Sequence, residues 1–425
     1  MRLSREFAVF SLFVTGIIVA IGTFWAFQRG GHDFDVFYAT WRFVIEGRAL
    51  ELYSDATPDR FLYAPGFAWV FSVIGLLPRD LALAVWCLGK AAVIGYVIRE
   101  FGLRLSANSF LPRDRVVMLG FAAWGVLLFS RPVLIDFQYG QVNVFILGAC
   151  VWTLFGRFDK NVRPWLTGAR WFVLALLAVT KLFPGPLLLV PFLATTGFSR
   201  KQIWIERAGV FLGACLILVI PAVSLGFSGA IELLWNWKDM LLQKGLPLET
   251  HNQSFTAFLM HYFSGEAAPV IAQGGSRIEF GTALLSMGAI RAMSLIWMVS
   301  ALGALLVLIR RGKVMPPLTW VGVLVGAIIL PSHLIWKPYF VFAIPVAILG
   351  AHRLVGAVGR YKNPSAWAAL ALLFAAVNLS GFDFVGHHWG ARFEAAALLF
   401  WAELVLIAIV LWPRKPLLMH ATPRL

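Results

Sequence analysis

Cysteine is scarce in this sequence, and the cysteines that occur are poorly placed for covalent or metal chemistry. Cys87, Cys150 and Cys215 each lie inside an apolar run, and none belongs to a CxxC pair. This pattern argues against a disulfide framework and against a structural zinc site. We interpret all three as core residues.

Charged residues and phosphate-binding motifs are scarce as well. Only 13% of the 425 residues are charged, whereas 60% are hydrophobic and the mean hydropathy is +0.79. The basic segments between apolar runs contain no glycine-rich phosphate loop and no Walker signature, which argues against a cytosolic nucleotide site. The composition therefore predicts a polytopic, all-α membrane protein rather than a water-soluble one.

Apolar segments of helical length recur along the whole chain. The first, 7–27, is too long for the apolar core of a signal peptide and precedes no small-residue cleavage site, so we expect it to be a retained span. The others are 61–78, 81–98, 115–133, 142–156, 170–181, 183–196, 207–226, 283–309, 317–332, 338–352, 365–380 and 395–412.

The formal net charge of +15 has two interpretations, nucleic-acid binding or basic cytoplasmic loops. All basic clusters share one face only if segment 61–78 does not cross the bilayer. The charge pattern therefore predicts a single domain, 1–425, with about twelve crossings, both termini in the cytoplasm and a re-entrant or interfacial helix at 61–78. We expect no nucleic-acid partner, and a location in the inner (plasma) membrane.

Polar islands interrupt the apolar pattern, and this topology brings them all to the extracytoplasmic face. Two loops lie there, 28–80, which we expect to hold the catalytic region, and the large loop 227–282. The islands are HDFDVFY (32–38), Asp136 with YGQVN (139–143), Lys181, HNQS (251–254), SHLIWK (332–337) and DFVGHH (383–388). One extracytoplasmic site could hold them together.

The order of several motifs resembles glycosyltransferase family 87, whose members belong to the GT-C fold superfamily. The resemblance rests on DFDVFYA, EGRALELY, FLYAPGFAWVFSVIGLLP, GQVN, TKLFPGPLLLVPFL, NQSF and HLIWKPYFVFAIP, in that order. It implies an integral membrane enzyme that transfers a hexosyl (mannosyl-type) or pentosyl group from a polyprenyl-phosphate sugar to a lipid- or glycan-linked acceptor. The pattern departs at 332–337, where His333 precedes Trp336 and Lys337 follows; relatives often carry a Trp followed by paired His.

Transfer from such a donor needs a base for the acceptor hydroxyl and cationic groups for the departing phosphate. Asp33 matches the family's acidic position after the first span, and we expect it to be the general base of an inverting single displacement. Asp35 is the alternative base. For the phosphate we expect Lys181, His333 and Lys337, although each could instead be an ordinary interfacial residue that snorkels to the surface.

Candidate sugar-binding residues have structural alternatives. Asp136, Gln141 and Asn143 surround Gly140 and could equally cap helices, and an Asx turn would explain Asn252. Together with Gln253, Tyr38 and Tyr63, these residues form the expected substrate-binding set. Tyr63 could also contact a polyprenyl tail, or simply anchor its helix.

Asp383, His387 and His388 look superficially like metal ligands, but adjacent histidines cannot easily face one ion. We expect no cofactor and no metal site, with the effect of a divalent metal left open. The alternative function is a secondary transporter or a lipid flippase. Transporters place charged groups near the bilayer midplane and commonly contain internal repeats, and neither feature is evident here.

Overall fold

The computed structural model describes residues 5–108, 114–159, 162–243, 248–270, 276–356 and 364–412. The chain forms an α-helical bundle. Its helices are α1 (Arg5–Arg29), α2 (His32–Ile45), α3 (Gly66–Phe71), α4 (Arg79–Asn108), α5 (Arg115–Leu127), α6 (Ser130–Tyr139), α7 (Asn143–Gly156), α8 (Pro164–Lys181), α9 (Val190–Leu193), α10 (Arg200–Val219), α11 (Ala222–Gln243), α12 (Phe255–Phe263), α13 (Met287–Arg310), α14 (Pro317–Ala327), α15 (Ile344–Gly356), α16 (Pro364–Phe374), α17 (Phe382–Ala395) and α18 (Leu398–Leu411).

Shorter elements connect these helices. Strands β1 (Ala268–Val270) and β2 (Ser276–Ile278) pair antiparallel, with Ala268 opposite Ile278. The 3₁₀ segments are Ala49–Tyr53, Ser72–Leu76, Gly185–Leu189, Arg311–Lys313 and Lys337–Ala343, and a π turn spans Ala375–Leu379. The expected all-α polytopic class is confirmed, with this hairpin as a minor addition.

Fewer helices than the twelve expected crossings have the length and hydropathy of a span. Among the described residues five qualify: Arg5–Arg29, Arg79–Ser106, Arg200–Val219, Met287–Arg310 and Lys337–Val355. The count rises to seven if α5 with α6, bent by 71°, and α16 through the π turn with α17, bent by 88°, are each one broken span. Hydropathy alone does not distinguish a full span from a short or broken apolar helix, which explains the difference.

Two apolar segments illustrate that difference. Segment 183–196, expected to be a span, forms only a 3₁₀ segment and the four-residue α9, because Pro184, Pro186 and Pro191 lack the N–H that a longer helix needs. Within 61–78 the helical part is Gly66–Leu76. At 1.5 Å per residue it is about 16 Å long, roughly half the hydrocarbon thickness. This length agrees with a helix that does not cross.

An aromatic cluster fixes α2 against its neighbours. The ring centroids of Phe37 and Phe67 are 5.1 Å apart, and those of Trp41 and Trp86 are 5.5 Å apart. All four side chains are fully buried. Because aromatic pairs at such distances add to the stabilisation from burial, α2 is held firmly between α3 and α4, and its first turn is presented at a fixed place.

Candidate active site

A large cavity collects side chains from distant parts of the chain. Its volume is about 1840 Å³, and its lining includes Asp33, Tyr63, Lys181, His333 and Lys337. These residues come from α2, the segment before α3, the end of α8, the 332–336 segment and the 3₁₀ segment that follows it. Most of the polar islands singled out in the sequence therefore meet at one site.

The turn between α1 and α2 delivers Asp33 to this cavity. Gly30 and Gly31 have φ values of 82° and 55°, which only glycine adopts readily, and α2 begins directly afterwards. Residues two apart on a helix point in widely different directions. Asp33 accordingly lines the cavity, whereas Asp35 turns to Arg79, with 2.7 Å between its Oδ1 and the arginine Nη2.

Gln141 links the candidate base to the candidate phosphate-binding lysine. Its Oε1 accepts hydrogen bonds from Lys181 Nζ at 2.9 Å and from the Tyr63 hydroxyl at 3.1 Å, and its side chain also hydrogen-bonds the Asp33 carboxylate. Lys181 Nζ donates to Asn143 Oδ1 as well, at 2.7 Å, and lies 4.4 Å from the centre of the Tyr339 ring. One amide thus fixes the spacing between a carboxylate and an ammonium group.

Burial sets the protonation behaviour of this cluster. Burial raises the pKa of the Asp33 carboxyl above its ordinary 3.8 and outweighs the lowering by the Lys181 charge, by His32 and by the Gln141 hydrogen bond. Burial also raises the pKa of the Tyr63 phenol well above its usual value, so Tyr63 remains a hydrogen-bond donor. A carboxylate with a raised pKa is a better proton acceptor than an ordinary aspartate.

Two side chains of α4 stabilise the turn that carries Gln141. Lys90 Nζ lies 2.7 Å from Asp136 Oδ1 and donates to the Asp136 carbonyl at 2.6 Å, with both side chains fully buried. Trp86 Nε1 donates to the Gly140 carbonyl at 2.8 Å. Asp136 is therefore placed behind the cavity wall, where it supports the turn rather than lining the cavity.

Tyr38, Asn252 and Gln253 also lie outside the cavity lining. The Tyr38 hydroxyl donates to the Leu77 carbonyl at 2.9 Å. Asn252 Nδ2 donates to the His333 carbonyl at 3.1 Å, and its Oδ1 accepts from the Ile335 N–H at 3.0 Å. Gln253 Nε2 donates to the Glu394 carbonyl at 2.7 Å. The Asn252 amide thus holds the segment that presents His333, and the Gln253 amide binds α17.

His333 and Lys337 both line the cavity, but they differ in exposure and in ion pairing. The His333 side chain is exposed, whereas Lys337 Nζ forms an ion pair with the nearly buried Glu394 carboxylate. Any phosphate bound by Lys337 must therefore share this ammonium with Glu394.

Several polar residues at the site were not predicted from the sequence. Arg29, Arg60, Arg131 and Glu394 line the cavity, and Lys90 supports it. Lys90 and Arg131 each stand in an otherwise apolar run, and a charge in such a run is costly unless it has a partner or a use. That signal could have identified both.

The described residues hold no group of three or more His, Cys, Asp or Glu side chains arranged to bind a metal ion. His387 and His388 follow a break in α17 at Gly386, and Asp383 pairs with Arg131 instead. The expectation of no metal stays a prediction.

The apolar bundle, and the cavity that brings a carboxylate and cationic groups together, define a polytopic membrane protein. A sequence model of glycosyltransferase family 87 matches residues 61–335. The chain belongs to this family and is a membrane glycosyltransferase. Tyr63, Gln141, Lys181 and His333 lie within the matched range, whereas Asp33 precedes it.

Curated relatives were found in mycobacteria. The chain is 27% identical over 337 residues, 76% of its length and 69% of the relative's, to a polyprenol-phosphate-mannose-dependent alpha-(1-2)-phosphatidylinositol pentamannoside mannosyltransferase of Mycolicibacterium smegmatis. It is 28% identical over 163 residues, 35% of its length and 36% of the relative's, to a protein of the same description from Mycobacterium tuberculosis. No solved structure matches the chain.

Proposed function

We propose that the protein transfers a hexosyl group, of the mannosyl type, from a polyprenyl-phosphate sugar to a hydroxyl of a lipid- or glycan-linked acceptor. The observation that carries this proposal is that Asp33 and Lys181 both line one large cavity and are joined through the buried Gln141. The donor is suggested by the relative from Mycolicibacterium smegmatis, which is polyprenol-phosphate-mannose-dependent.

The reaction needs a single displacement at the anomeric carbon. Asp33 takes the proton of the acceptor hydroxyl as its oxygen attacks, and the bond from the anomeric carbon to the phosphate oxygen breaks on the opposite side. The configuration is therefore inverted, and the polyprenyl phosphate leaves with the bonding electrons. A phosphate already departs readily, so no covalent intermediate with the enzyme is needed.

Cations at the cavity wall stabilise the departing phosphate. Lys181 is held by the side-chain oxygens of Gln141 and Asn143, which orient its ammonium group. His333 and Lys337 complete the phosphate-binding set on the facing segment. Such preorganised groups act where negative charge grows in the transition state. The proposal involves no cofactor, and the effect of a divalent metal stays open.

Apolar residues of the cavity suit the donor's tail, and the basic clusters indicate on which side of the membrane the site lies. Leu182, Phe183, Met298 and Leu302 line the cavity, the first two directly after Lys181 in the chain, and suit a polyprenyl chain. We place the site on the extracytoplasmic face of the plasma membrane, with cytoplasmic termini, because the basic clusters then lie inside.

A donor panel tests this proposal. Purified protein is incubated with polyprenyl-phosphate mannose, glucose and arabinose, and released polyprenyl phosphate is measured by mass spectrometry. We expect turnover with the mannose donor. Lys181→Ala should weaken donor use strongly, whereas Lys181→Arg should keep part of it because the positive charge remains. Absence of release from any donor would refute the proposal.

A further inference from the structure

Arg131 occupies a part of the cavity that the proposed transfer reaction does not use. It lies at the start of α6, directly after the bend between α5 and α6. Its guanidinium group lies across Gly381, where a Cβ would overlap it, and Nη2 donates to Asp383 Oδ2 at 3.1 Å. The Arg131 side chain is 15% exposed and lines the cavity.

The backbone of Arg131 is fixed without help from this ion pair. Asn378, in the π turn, accepts hydrogen bonds through Oδ1 from the Arg131 N–H and the Ser130 hydroxyl, both at 2.8 Å. Its Nδ2 donates to the Leu128 carbonyl at 3.0 Å. Since Asn378 already joins the π turn to the bend, the contact between Arg131 and Asp383 is not required for that junction.

The guanidinium group has hydrogen-bonding capacity to spare. An arginine carries five N–H donors, and among the described residues the side chain of Arg131 donates only to Asp383. Its Nε is buried and has no hydrogen-bond partner there. Asp383 is 79% exposed, so solvent weakens its ion pair with Arg131. A planar cation in this setting suits a phosphate group, which guanidinium binds in bidentate fashion.

The position of Arg131 separates it from the reacting groups. Tyr139, whose ring lies 6.5 Å from that of His32, stands at the opposite end of α6. Tyr139 follows Arg131 by eight positions, which corresponds to about 12 Å along the helix axis. Arg131 therefore lies at the end of α6 that is farther from His32. The proposed transfer already provides Lys181, His333 and Lys337 for the donor phosphate, so we assign a phosphate at Arg131 to a different molecule.

The surroundings indicate a lipid. Leu134, Phe374, Leu379 and Phe384 line the cavity with Arg131. A phospholipid carries its phosphate directly beside its apolar chains, so it matches a cation that lies beside an apolar wall. We propose that Arg131 binds the phosphate of an anionic lipid acceptor, whose sugar or polyol head then extends along α6 toward Asp33. This inference rests on the proposed function.

Lipid binding by the purified full chain in detergent tests the inference without requiring turnover. The probes are fluorescent phosphatidylinositol and galactosyl diacylglycerol with the same acyl chains, since both carry a polyol head and only the first carries phosphate. We expect wild type to prefer phosphatidylinositol, and Arg131→Gln to weaken that binding by about tenfold, as the loss of one charged contact implies. Galactosyl diacylglycerol should bind both proteins equally.

Asp383→Asn is the matched control. If Arg131 serves the lipid, removing the competing carboxylate should leave phosphatidylinositol binding unchanged or tighter. If the pair only ties α17 to α6, both variants should lose binding equally, and the inference fails. Should Arg131→Gln not fold, Arg131→Lys replaces it, and binding of phosphatidylinositol must then fall between wild type and the level of galactosyl diacylglycerol.

Two further arms identify the source of the phosphate. Decaprenyl phosphate should bind wild type and Arg131→Gln equally; weaker binding to the variant would assign Arg131 to the donor and overturn the acceptor role. Inorganic phosphate should not displace phosphatidylinositol, and displacement would mean a free-anion site. If lipid binding behaves as expected but wild type releases no sugar from any donor, only the proposed function fails.

Discussion

Asp35 Oδ1 lies 2.7 Å from Arg79 Nη2, and this ion pair joins the first turn of α2 to the first turn of α4. The same arginine nitrogen donates to the Gly30 carbonyl at 2.6 Å, so Arg79 also holds the turn before α2. Asp33, two residues earlier, turns instead to the cavity and to Gln141. The two carboxylates that the sequence could not separate thus have different partners.

Asp33→Asn should lower sugar transfer by roughly 10²–10⁴-fold, because the amide keeps the shape of the side chain but cannot accept the acceptor's proton. Donor binding should persist. Asp35→Asn is the control and should keep most of the activity, with a stability loss under about 1 kcal/mol for a part-exposed ion pair. The measurement is the transfer rate of each variant with a saturating polyprenyl-phosphate sugar. If Asp35→Asn lost transfer and Asp33→Asn kept it, Asp35 would be the base.

The pH dependence of transfer should report the Asp33 carboxyl. Only its ionised form accepts a proton, so activity should fall as the pH drops through a pKa raised above the ordinary 3.8 by burial. Lys181 lowers this pKa, and Asp59 raises it. The acidic limb of kcat should therefore move to higher pH in Lys181→Gln and to lower pH in Asp59→Asn. Shifts in the same direction would contradict the assignment.

Much of the candidate site could be predicted from the sequence because its polar groups interrupt an otherwise apolar chain. Asp33, Lys181 and His333 stand out as polar residues at the ends of apolar runs, and all three line the cavity. Asn252 and Gln253 stand out equally, yet the Asn252 amide binds the His333 carbonyl and the Gln253 amide binds the Glu394 carbonyl. Sequence shows where a polar group interrupts the pattern, but not whether its partner is a substrate or a backbone carbonyl.

The ion-pair partners of several site residues lie far away in the sequence. Arg131 pairs with Asp383, and Lys337 with Glu394. Neither separation corresponds to a local motif, so no periodicity reveals it. The sequence likewise does not show that the apolar run 115–133 bends by 71° between α5 and α6, where Asn378 accepts a hydrogen bond from the Arg131 N–H.

Membrane orientation is testable with introduced cysteines. The native Cys215 is half-buried and is replaced by serine, whereas Cys87 and Cys150 are buried. Ser106→Cys, near the end of α4, should react only after the membrane is permeabilised, and Ala56→Cys, in the exposed loop before α3, should react in intact cells. Labelling with an impermeant maleimide provides the measurement. Reaction of residue 106 in intact cells would contradict the proposed orientation and indicate the opposite one.

Removing one charge of the buried pair Lys90 and Asp136 should lower the stability of the protein more than removing both charges together. Removing one partner leaves an uncompensated charge in an apolar interior, so Lys90→Met and Asp136→Asn should each destabilise the protein by roughly 3–5 kcal/mol. The double variant Lys90→Met with Asp136→Leu should be more stable than either single variant, because no buried charge remains. Recovery should be partial, since Lys90 also donates to the Asp136 carbonyl. Thermal unfolding of the purified proteins in detergent measures this coupling, and simple additivity of the single effects would show that the two side chains act independently.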